Sequence, residues 1–167
     1  MFTADLLKEA AELLDRLRAQ GLRLATAESC TGGLISALFT EIAGSSDVVE
    51  RGFVTYSNAA KSELLGVSED LLARHGAVSE PVARAMVQGA LAHSHADIAV
   101  SVTGVAGPGG GTDAKPVGLV HIAALHKGGD VVHQECHFGA IGRGPIRLAS
   151  VEVALQLVSR AAAASAP

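Results

Sequence analysis

The sequence predicts an α/β fold of three layers, with helices on both faces of a mixed β-sheet and one domain spanning residues 1–167. Segments with helical spacing of apolar residues alternate with short apolar runs, which is typical of helices crossing over a parallel sheet. Near the C-terminal end, two strand-like segments are joined by a short glycine turn, which adds an antiparallel hairpin. With 49% hydrophobic residues, a chain of this length can bury one sizeable core.

The N-terminal third of the chain predicts two helices and two strands. Leucines at helical spacing predict the first helix, and an apolar run bounded by Gly21 predicts the first strand. The glycine and serines at 44–46 break the second helix, and alternation of apolar residues predicts the strand that follows, which ends at Tyr56. In order, these elements are helix 4–19, strand 22–27, helix 33–43 and strand 49–56.

The middle third predicts three helices and a strand. Asn58 is a suitable N-cap for a helix that stops at Gly66, and Pro81 lies near the first turn of a later helix. A continuous apolar run then predicts a strand that is buried on both faces. The last three of these elements are helices 68–74 and 80–93 and strand 96–102.

The C-terminal third predicts a hairpin and a final helix. Strands 117–125 and 130–138 flank the turn at 127–129, and a helix follows at 145–163. In open sheets of this kind the site lies at the carboxyl ends of the parallel strands. We therefore expect the functional loops near residues 28, 57 and 104.

Composition excludes several classes of function. A net charge of −4 and the absence of any Lys/Arg tract argue against nucleic-acid binding. No apolar run reaches the roughly 20 residues of a membrane span, and charges in the first turns argue against a signal peptide. The two cysteines have no zinc spacing, and His133, Glu135 and His137 on one strand face are interpreted as a solvated polar face. The prediction is a cytoplasmic protein with no metal, no cofactor and no membrane partner.

Residues 28–33, with the sequence Glu-Ser-Cys-Thr-Gly-Gly, form a turn between a predicted strand and a predicted helix. Such a turn places Ser29 and Cys30 beside backbone N–H groups that can stabilise a developing negative charge. The Gly-x-Ser-x-Gly pattern of Ser-His-Asp hydrolases is absent, and no histidine is recognisably placed as a partner. Residue types alone leave both Ser29 and Cys30 open as nucleophile.

Lys61 is the candidate base, because burial can lower the pKa of a lysine from about 10.4 towards neutrality. It lies shortly after a strand end, in an apolar setting. The alternative interpretation is an ordinary solvated lysine on a helix. Tyr56 precedes it by about one helical turn and can relay a proton or orient the amine, or can simply be an edge of the core.

The glycine-rich stretch 103–112 is a candidate anion-binding loop or mobile lid. It fails both common phosphate-binding patterns, since glycines stand where the Walker motif needs Lys and Ser/Thr, and Thr112 replaces the last glycine of Gly-x-Gly-x-x-Gly. Lys115 is a nearby charge donor. A plain surface loop is an equally suitable interpretation.

Taken together, these blocks resemble the CinA C-terminal family, the nicotinamide-nucleotide amidases. The matching segments follow one another along nearly the whole chain: 27–33, 44–46, 52–58, 61–67, 76–79, 103–108 and 115–120. The resemblance implies hydrolysis of the amide of nicotinamide mononucleotide (NMN) to nicotinate mononucleotide and ammonia. It also implies that Ser29 is the nucleophile, Lys61 the base and Tyr56 an assistant to the lysine or the leaving ammonia.

For substrate binding we expect the nucleophile turn, the turn at 44–46, the glycine-rich loop and two cations. The residues are Cys30, Thr31, Gly32, Gly33, Ser45, Ser46, Thr103, Gly104, Gly107, Lys115 and Arg147. Backbone N–H groups of 30–33 or 44–46 are the hypothesis for the oxyanion site. Family members often carry Gly-Asp-Arg after the last strand, whereas residues 139–144 of this chain lack the acid, and Arg143 and Arg147 are weaker candidates for binding the substrate phosphate.

The sequence thus predicts a metal-independent serine amidase that acts on NMN in pyridine-nucleotide salvage. Two alternatives stay open at this point. One is a catalytically weak nucleotide-binding or regulatory module, and the other is an amidase for a different small amide. A homo-oligomer is expected, paired through the terminal helices.

Overall fold

The computed structural model describes residues 2–164. It contains six α-helices, five β-strands and one short 3-10 helix at Ser45–Asp47 within that range. The helices are α1 Ala4–Ala19, α2 Leu34–Thr40, α3 Asn58–Leu65, α4 Glu69–His75, α5 Glu80–Ala92 and α6 Arg143–Ala163. The strands are β1 Leu24–Glu28, β2 Val49–Val54, β3 Ile98–Gly104, β4 Leu119–His126 and β5 Val132–His137.

The five strands form one mixed sheet in the order β2-β1-β3-β4-β5. Strand β1 pairs in parallel with both β2 and β3, whereas β4 is antiparallel to β3 and β5 is antiparallel to β4. Helices cover both faces, so the predicted three-layer α/β/α fold with a mixed sheet is confirmed.

Alternate residues of each strand point into two separate cores. Leu24, Val100 and their neighbours on one face pack with α1, α2 and α6. Ala25, Ala27 and Ala99 on the other face pack with α3, α4 and α5. Since successive side chains of a strand point to opposite faces, the sequence sorts larger aliphatic residues to the first core and alanines to the second. The small alanine side chains let α5 pack close to the sheet.

The predicted elements all exist, with shifts of a few residues at their ends. The cap of α3 is Ser57 rather than Asn58, because the Ser57 hydroxyl accepts a hydrogen bond from the Ala60 N–H at 3.0 Å. Strand β2 ends at Val54, so Tyr56 lies in the loop that follows it. Strand β1 extends one residue further than predicted and ends on the buried Glu28.

The three parallel strands bring their carboxyl ends to one edge of the sheet. The loops after β1, β2 and β3 begin near residues 28, 55 and 104, which are the positions expected to carry the site. None of the helices within residues 2–164 is long and apolar enough to cross a membrane.

We expect Gly89→Ala to lower the free energy of unfolding by about 1–3 kcal/mol, the usual cost of overpacking. A Cβ on Gly89 would lie 2.0 Å from the backbone oxygen of Leu65, where α5 crosses α3, and backbone cannot move aside cheaply. Urea denaturation measures the loss. Gly144→Ala in α6 is the control: its Cβ meets nothing within 4 Å, so stability should stay within about 0.5 kcal/mol. Equal stability of the two variants would contradict the close approach of the two helices.

Candidate active site

An open pocket of about 290 Å³ lies at the carboxyl ends of the parallel strands. Its walls come from the loops after β1, β2 and β3, from the segment before α5 and from the start of α6. The lining residues are Ser29, Cys30, Tyr56, Asn58, Lys61, Ala77, Val78, Thr103, Gly104, Val105, Ala106, Gly107, Gly109, Gly110 and Arg143. Loops from the three predicted positions therefore meet at one pocket.

Ser29 is the first residue after β1 and is 8% exposed. Its N–H donates to the Val102 carbonyl at 3.0 Å, which extends the pairing of β1 with β3 by one residue. The chain then turns through Gly32 and Gly33, whose φ angles of 59° and 95° favour glycine. This turn leaves the Ser29 side chain at the floor of the pocket.

Lys61 reaches the same point from α3, although 32 positions separate it from Ser29. Its Nζ lies 2.9 Å from Ser29 Oγ and donates to the Thr55 carbonyl at 2.8 Å. The side chain is only 1% exposed, so the solvated interpretation of this lysine is wrong. The structure brings the expected nucleophile and base into direct contact.

Burial lowers the pKa of Lys61, and the neighbouring Cys30 only partly opposes that effect. Burial disfavours the charged ammonium, since water that would solvate it is excluded. A neutral amine has a lone pair that can accept the Ser29 proton, while one of its N–H groups still donates to Thr55. The environment of Lys61 thus favours the form that a general base needs.

Cys30 lines the pocket beside Ser29 but differs from it chemically. Burial raises the pKa of its thiol to about 11, and its own backbone N–H and the positive charges of Lys61 and Arg147 offset only part of that rise. Since the thiolate and not the thiol is the nucleophile, a buried thiol of this kind is inert near neutral pH. The electrostatics favour Ser29 over Cys30.

Tyr56 stands at the mouth of the pocket and is 61% exposed. Its hydroxyl accepts a hydrogen bond from Arg143 at 2.8 Å, and Arg143 also donates to the Gly107 carbonyl at 2.8 Å. Within residues 2–164 no hydrogen bond joins the tyrosine to Lys61. The structure therefore links Tyr56 to the glycine-rich loop through Arg143.

Of the expected substrate-binding residues, four line the pocket: Cys30, Thr103, Gly104 and Gly107. Thr103 donates its hydroxyl to the Ala77 carbonyl at 2.8 Å, which joins the end of β3 to the segment before α5. Gly104 has no room for a side chain, because a Cβ would lie 2.6 Å from Val120 on the neighbouring strand.

The structure does not bring the other expected residues to the pocket wall. Ser45 and Ser46 precede β2 and lie at the opposite edge of the sheet, since β2 is parallel to β1 and Ser29 follows the carboxyl end of β1. Thr31 is buried, and the N–H groups of Gly32 and Gly33 donate to Ser29 and Glu28 inside the turn.

The two expected cations also contact protein groups outside the pocket. Lys115 donates to the carbonyl of His75, the last residue of α4. Arg147 donates to the Thr31 carbonyl at 2.7 Å, so its guanidinium lies over the nucleophile turn. Their positive charges made both residues candidates for binding the substrate. The sequence does not show that each side chain donates to a backbone carbonyl of the protein.

Arg143 lines the pocket, although the sequence ranked it, like Arg147, only as a weaker candidate. The signal that could have raised it is its place at the first residue of a helix, directly after the glycine-containing segment 139–142. Asn58, Ala77, Val78, Gly109 and Gly110 also line the pocket without having been singled out as site residues.

Backbone donors in the turn are mostly used within the turn itself. Gly32, Gly33, Leu34, Ile35 and Ser36 donate their N–H groups to acceptors in residues 28–31. Among the described residues, Cys30 and Thr31 are the members of 29–36 whose N–H donates to no other residue. Of these two residues, Cys30 lines the pocket beside Ser29, whereas Thr31 is fully buried.

Comparisons with known proteins agree on one family. The CinA C-terminal domain family matches residues 7–162. The nicotinamide-nucleotide amidohydrolase PncC of Escherichia coli (strain K12) is 47% identical over 157 residues, which cover 93% of this chain and 94% of the relative. A CinA-like protein of Syntrophus aciditrophicus (strain SB) is 50% identical over 152 residues, which are 90% of this chain but 36% of that longer protein.

The fold has close counterparts among solved structures. The competence/damage inducible protein CihA from Agrobacterium tumefaciens superposes with a TM-score of 0.95 at 51% sequence identity, covering 96% of this chain and 98% of that one. A second structure, the competence damage-inducible protein A from Klebsiella pneumoniae, gives a TM-score of 0.91 at 37% identity.

Proposed function

Since the chain belongs to the CinA C-terminal domain family, we propose that it is an amidohydrolase that converts NMN to nicotinate mononucleotide and ammonia. The observation that carries the proposal is the buried contact between Lys61 Nζ and Ser29 Oγ at 2.9 Å. Similarity to the E. coli amidohydrolase over nearly the full length of both chains supports the substrate. One domain of this family would then span residues 1–167.

In the first half of the proposed reaction, Ser29 Oγ attacks the carbonyl carbon of the nicotinamide amide. Neutral Lys61 accepts the hydroxyl proton as the C–O bond forms, which makes the serine a competent nucleophile. The lysine then returns this proton to the amide nitrogen, the C–N bond breaks and ammonia leaves. The product of this half is an ester between Ser29 and the nicotinate carbonyl.

In the second half, water attacks that ester. Lys61, neutral again, accepts a proton from the water, and the tetrahedral intermediate expels Ser29 Oγ, which is reprotonated by the lysine. Nicotinate mononucleotide leaves with its new carboxylate. The same amine thus serves as base and then acid in each half, as a group with a lowered pKa can.

We propose that the N–H group of Cys30 stabilises the oxyanion of each tetrahedral intermediate. Cys30 adjoins Ser29 and lines the pocket, and the N–H groups of Gly32, Gly33 and Ile35 already have acceptors within the turn. Preorganised donors of this kind act without reorganising during the reaction. The oxyanion site would then be built from the residue directly after the nucleophile.

For the nucleotide part of the substrate, we propose the glycine-rich loop and Arg143. Arg143 lines the pocket and already contacts Tyr56 and the Gly107 carbonyl. A guanidinium pairs well with phosphate oxygens, and the backbone at Gly104, Gly107, Gly109 and Gly110 permits close approach of a ligand. Tyr56 would orient Arg143 and cover the reacting amide from the open side.

The direct test is incubation of the purified protein with NMN in the presence of EDTA, with ammonia and nicotinate mononucleotide measured as products. Both products should form in equal amounts and EDTA should not change the rate, because no step uses a metal. Free nicotinamide, which has the same amide but no phosphate, is the matched substrate and should react poorly. No product from NMN at high enzyme concentration would overturn the amidase and favour the nucleotide-binding module.

We expect kcat to rise with pH, up to tenfold per unit, and to level off above the lowered pKa of Lys61. Only the neutral amine accepts the serine proton, so the active fraction grows as Lys61 loses its proton. Measurement at saturating NMN separates this titration from that of the substrate phosphate, whose second pKa is about 6. A kcat that does not depend on pH below 10 would contradict Lys61 as the base.

We further propose that the protein works in the cytoplasm and forms a homo-oligomer through the long helices α1 and α6. Analytical ultracentrifugation measures the oligomeric state.

A further inference from the structure

Glu28 is the most deeply buried acid near the pocket, with a side chain that is 0% exposed. Its Oε2 accepts hydrogen bonds from the N–H groups of Gly33 and Ile35, both at 3.0 Å. Its Oε1 accepts from the N–H of Ser36 at 2.9 Å and from the hydroxyl of Ser36 at 3.1 Å. Within residues 2–164 it forms no salt bridge, so neutral donors alone hold the carboxylate.

The donors define what this position requires. Three of them are backbone N–H groups, which can only donate, and they approach both carboxyl oxygens. The Thr26 hydroxyl lies 2.6 Å from that of Ser36, so Thr26 can donate to Ser36 while Ser36 donates to Glu28. A carboxylate satisfies every one of these groups, whereas a glutamine would place an NH₂ group against at least one donor.

The backbone of Glu28 is linked to both Ser29 and Lys61. Ser29 follows it directly in the chain. The Glu28 carbonyl accepts a hydrogen bond from the Thr55 N–H at 2.8 Å, and the Thr55 carbonyl accepts one from Lys61 Nζ at 2.8 Å. Glu28 is therefore hydrogen-bonded to the turn that carries the nucleophile and is linked through Thr55 to the base.

We propose that Glu28 is a positioning residue for amide hydrolysis, whose carboxylate fixes the turn after β1 so that Ser29 Oγ stays within reach of Lys61 Nζ. This role rests on the proposed function. Because the carboxylate takes the first N–H groups of α2, it also leaves the oxyanion to the N–H of Cys30 instead of the helix. A displacement of about 1 Å in a reacting group can cost a hundredfold in rate, so a loosened turn is sufficient to impair the reaction.

The first experiment compares wild type with Glu28→Gln, using NMN as substrate. The variant keeps the size of the side chain and should lower kcat by about 10–100-fold, with KM within about twofold, because the proposed contacts to the nucleotide come from the glycine-rich loop and Arg143 and not from the turn. The control is Ser150→Ala, which removes a buried hydroxyl bonded to the Ile146 carbonyl in α6. Melting temperatures are measured for both variants, and the control should lose no kcat even where its melting temperature falls.

A second readout does not need turnover. In protein labelled with ¹³C at lysine Cε, the titration of Lys61 is followed by NMR and compared with that of Lys8, Lys115 and Lys127. Loosening of the turn in Glu28→Gln should admit water and move the Lys61 titration towards the ordinary lysine value, while the other three stay unchanged. If wild type fails to hydrolyse NMN, the proposed function fails, and this titration still tests the positioning role.

Ser36→Ala provides a milder variant in case Glu28→Gln does not fold. It removes one donor to the carboxylate and keeps the backbone N–H groups, so kcat should fall several-fold with the same constant KM. A folded Glu28→Gln with unchanged kcat and an unchanged Lys61 titration overturns the proposal. A fall in melting temperature alone, as in the control, would mean that Glu28 only stabilises the fold.

Discussion

We expect Ser29→Ala to lower kcat for NMN by about 10⁴-fold or more, the size of loss seen when a nucleophile is removed. Without Oγ the covalent intermediate cannot form, and the amine of Lys61 has no hydroxyl to deprotonate at 2.9 Å. The fold should be retained, because Ser29 makes its structural hydrogen bond through its N–H to Val102 and not through its side chain. Release of ammonia from NMN measures the loss.

Cys30→Ala is the matched variant in the next position. The thiol is buried and its pKa is raised to about 11, so kcat should stay within about tenfold of wild type. The two variants separate the two nucleophiles that the sequence leaves open. A folded Cys30→Ala without activity, beside an active Ser29→Ala, would assign the covalent step to the thiol.

The fold was predictable because each element carries a local signal. The leucine spacing of α1 and the continuous apolar run of β3 reflect burial on one face and on both faces of an element. The ends of elements were less predictable, because single hydrogen bonds decide them. Ser57 rather than Asn58 caps α3 because its hydroxyl reaches the Ala60 N–H, and neighbouring polar residues do not reveal which of them will do so.

The meeting of Ser29 with Lys61 is a consequence of sheet topology. Parallel pairing of β1 with β2 places the loops after both strands at one edge of the sheet, so a residue after β1 and a residue in α3 become neighbours. The sequence located both loops, and the resemblance to a family selected the residues within them. The distance between Ser29 and Lys61 depends on how α3 packs against the sheet, which the sequence alone does not specify.

Charge was a poor guide to the substrate-binding residues. Lys115 and Arg147 are cations near the expected loops, yet each contacts a backbone carbonyl of the protein. Ser45 and Ser46 come before a parallel strand, whereas Ser29 comes after one, so they lie at opposite ends of the strands. A turn before a parallel strand lies at the far edge of the sheet, so the expectation of a site at the carboxyl ends of the strands would have excluded both residues.

Glu28 is a buried residue whose surroundings could not be predicted from the sequence. In the sequence it looks like one polar member of a turn, with no sign that four donors from Gly33, Ile35 and Ser36 surround its carboxylate. A buried charge without those donors would be costly. The turn and the start of α2 therefore fold around this side chain. By holding the turn in place, Glu28 also holds Ser29, the next residue, in position.

The second large effect is expected from Lys61→Met, which should lower kcat by about 10²–10⁴-fold, the usual contribution of a general base. Methionine fills a similar volume but has no amine to accept the Ser29 proton. Lys61→Arg is the charged counterpart: a guanidinium does not lose its proton in proteins, so this variant should be equally inactive. Activity in Lys61→Arg near that of wild type would contradict proton transfer to residue 61 and leave only a role for its charge.

The same substitution tests the burial of the amine independently of activity, through the dependence of stability on pH. Burial lowers the pKa of Lys61 in the folded protein below its ordinary value of 10.5, which the unfolded chain retains. Between the two values the unfolded state binds a proton that the folded state does not, so stability rises with pH across that window. Below the folded pKa, both states hold the proton and this gain is absent. Each pKa unit by which folding lowers the Lys61 pKa adds about 1.4 kcal/mol to the free energy of unfolding across the window.

The free energy of unfolding of wild type should therefore increase relative to that of Lys61→Met as pH rises towards 10.5, as measured by urea denaturation at a series of pH values. A constant difference between the two proteins over that range would mean that Lys61 titrates as a solvated lysine and is not the buried base.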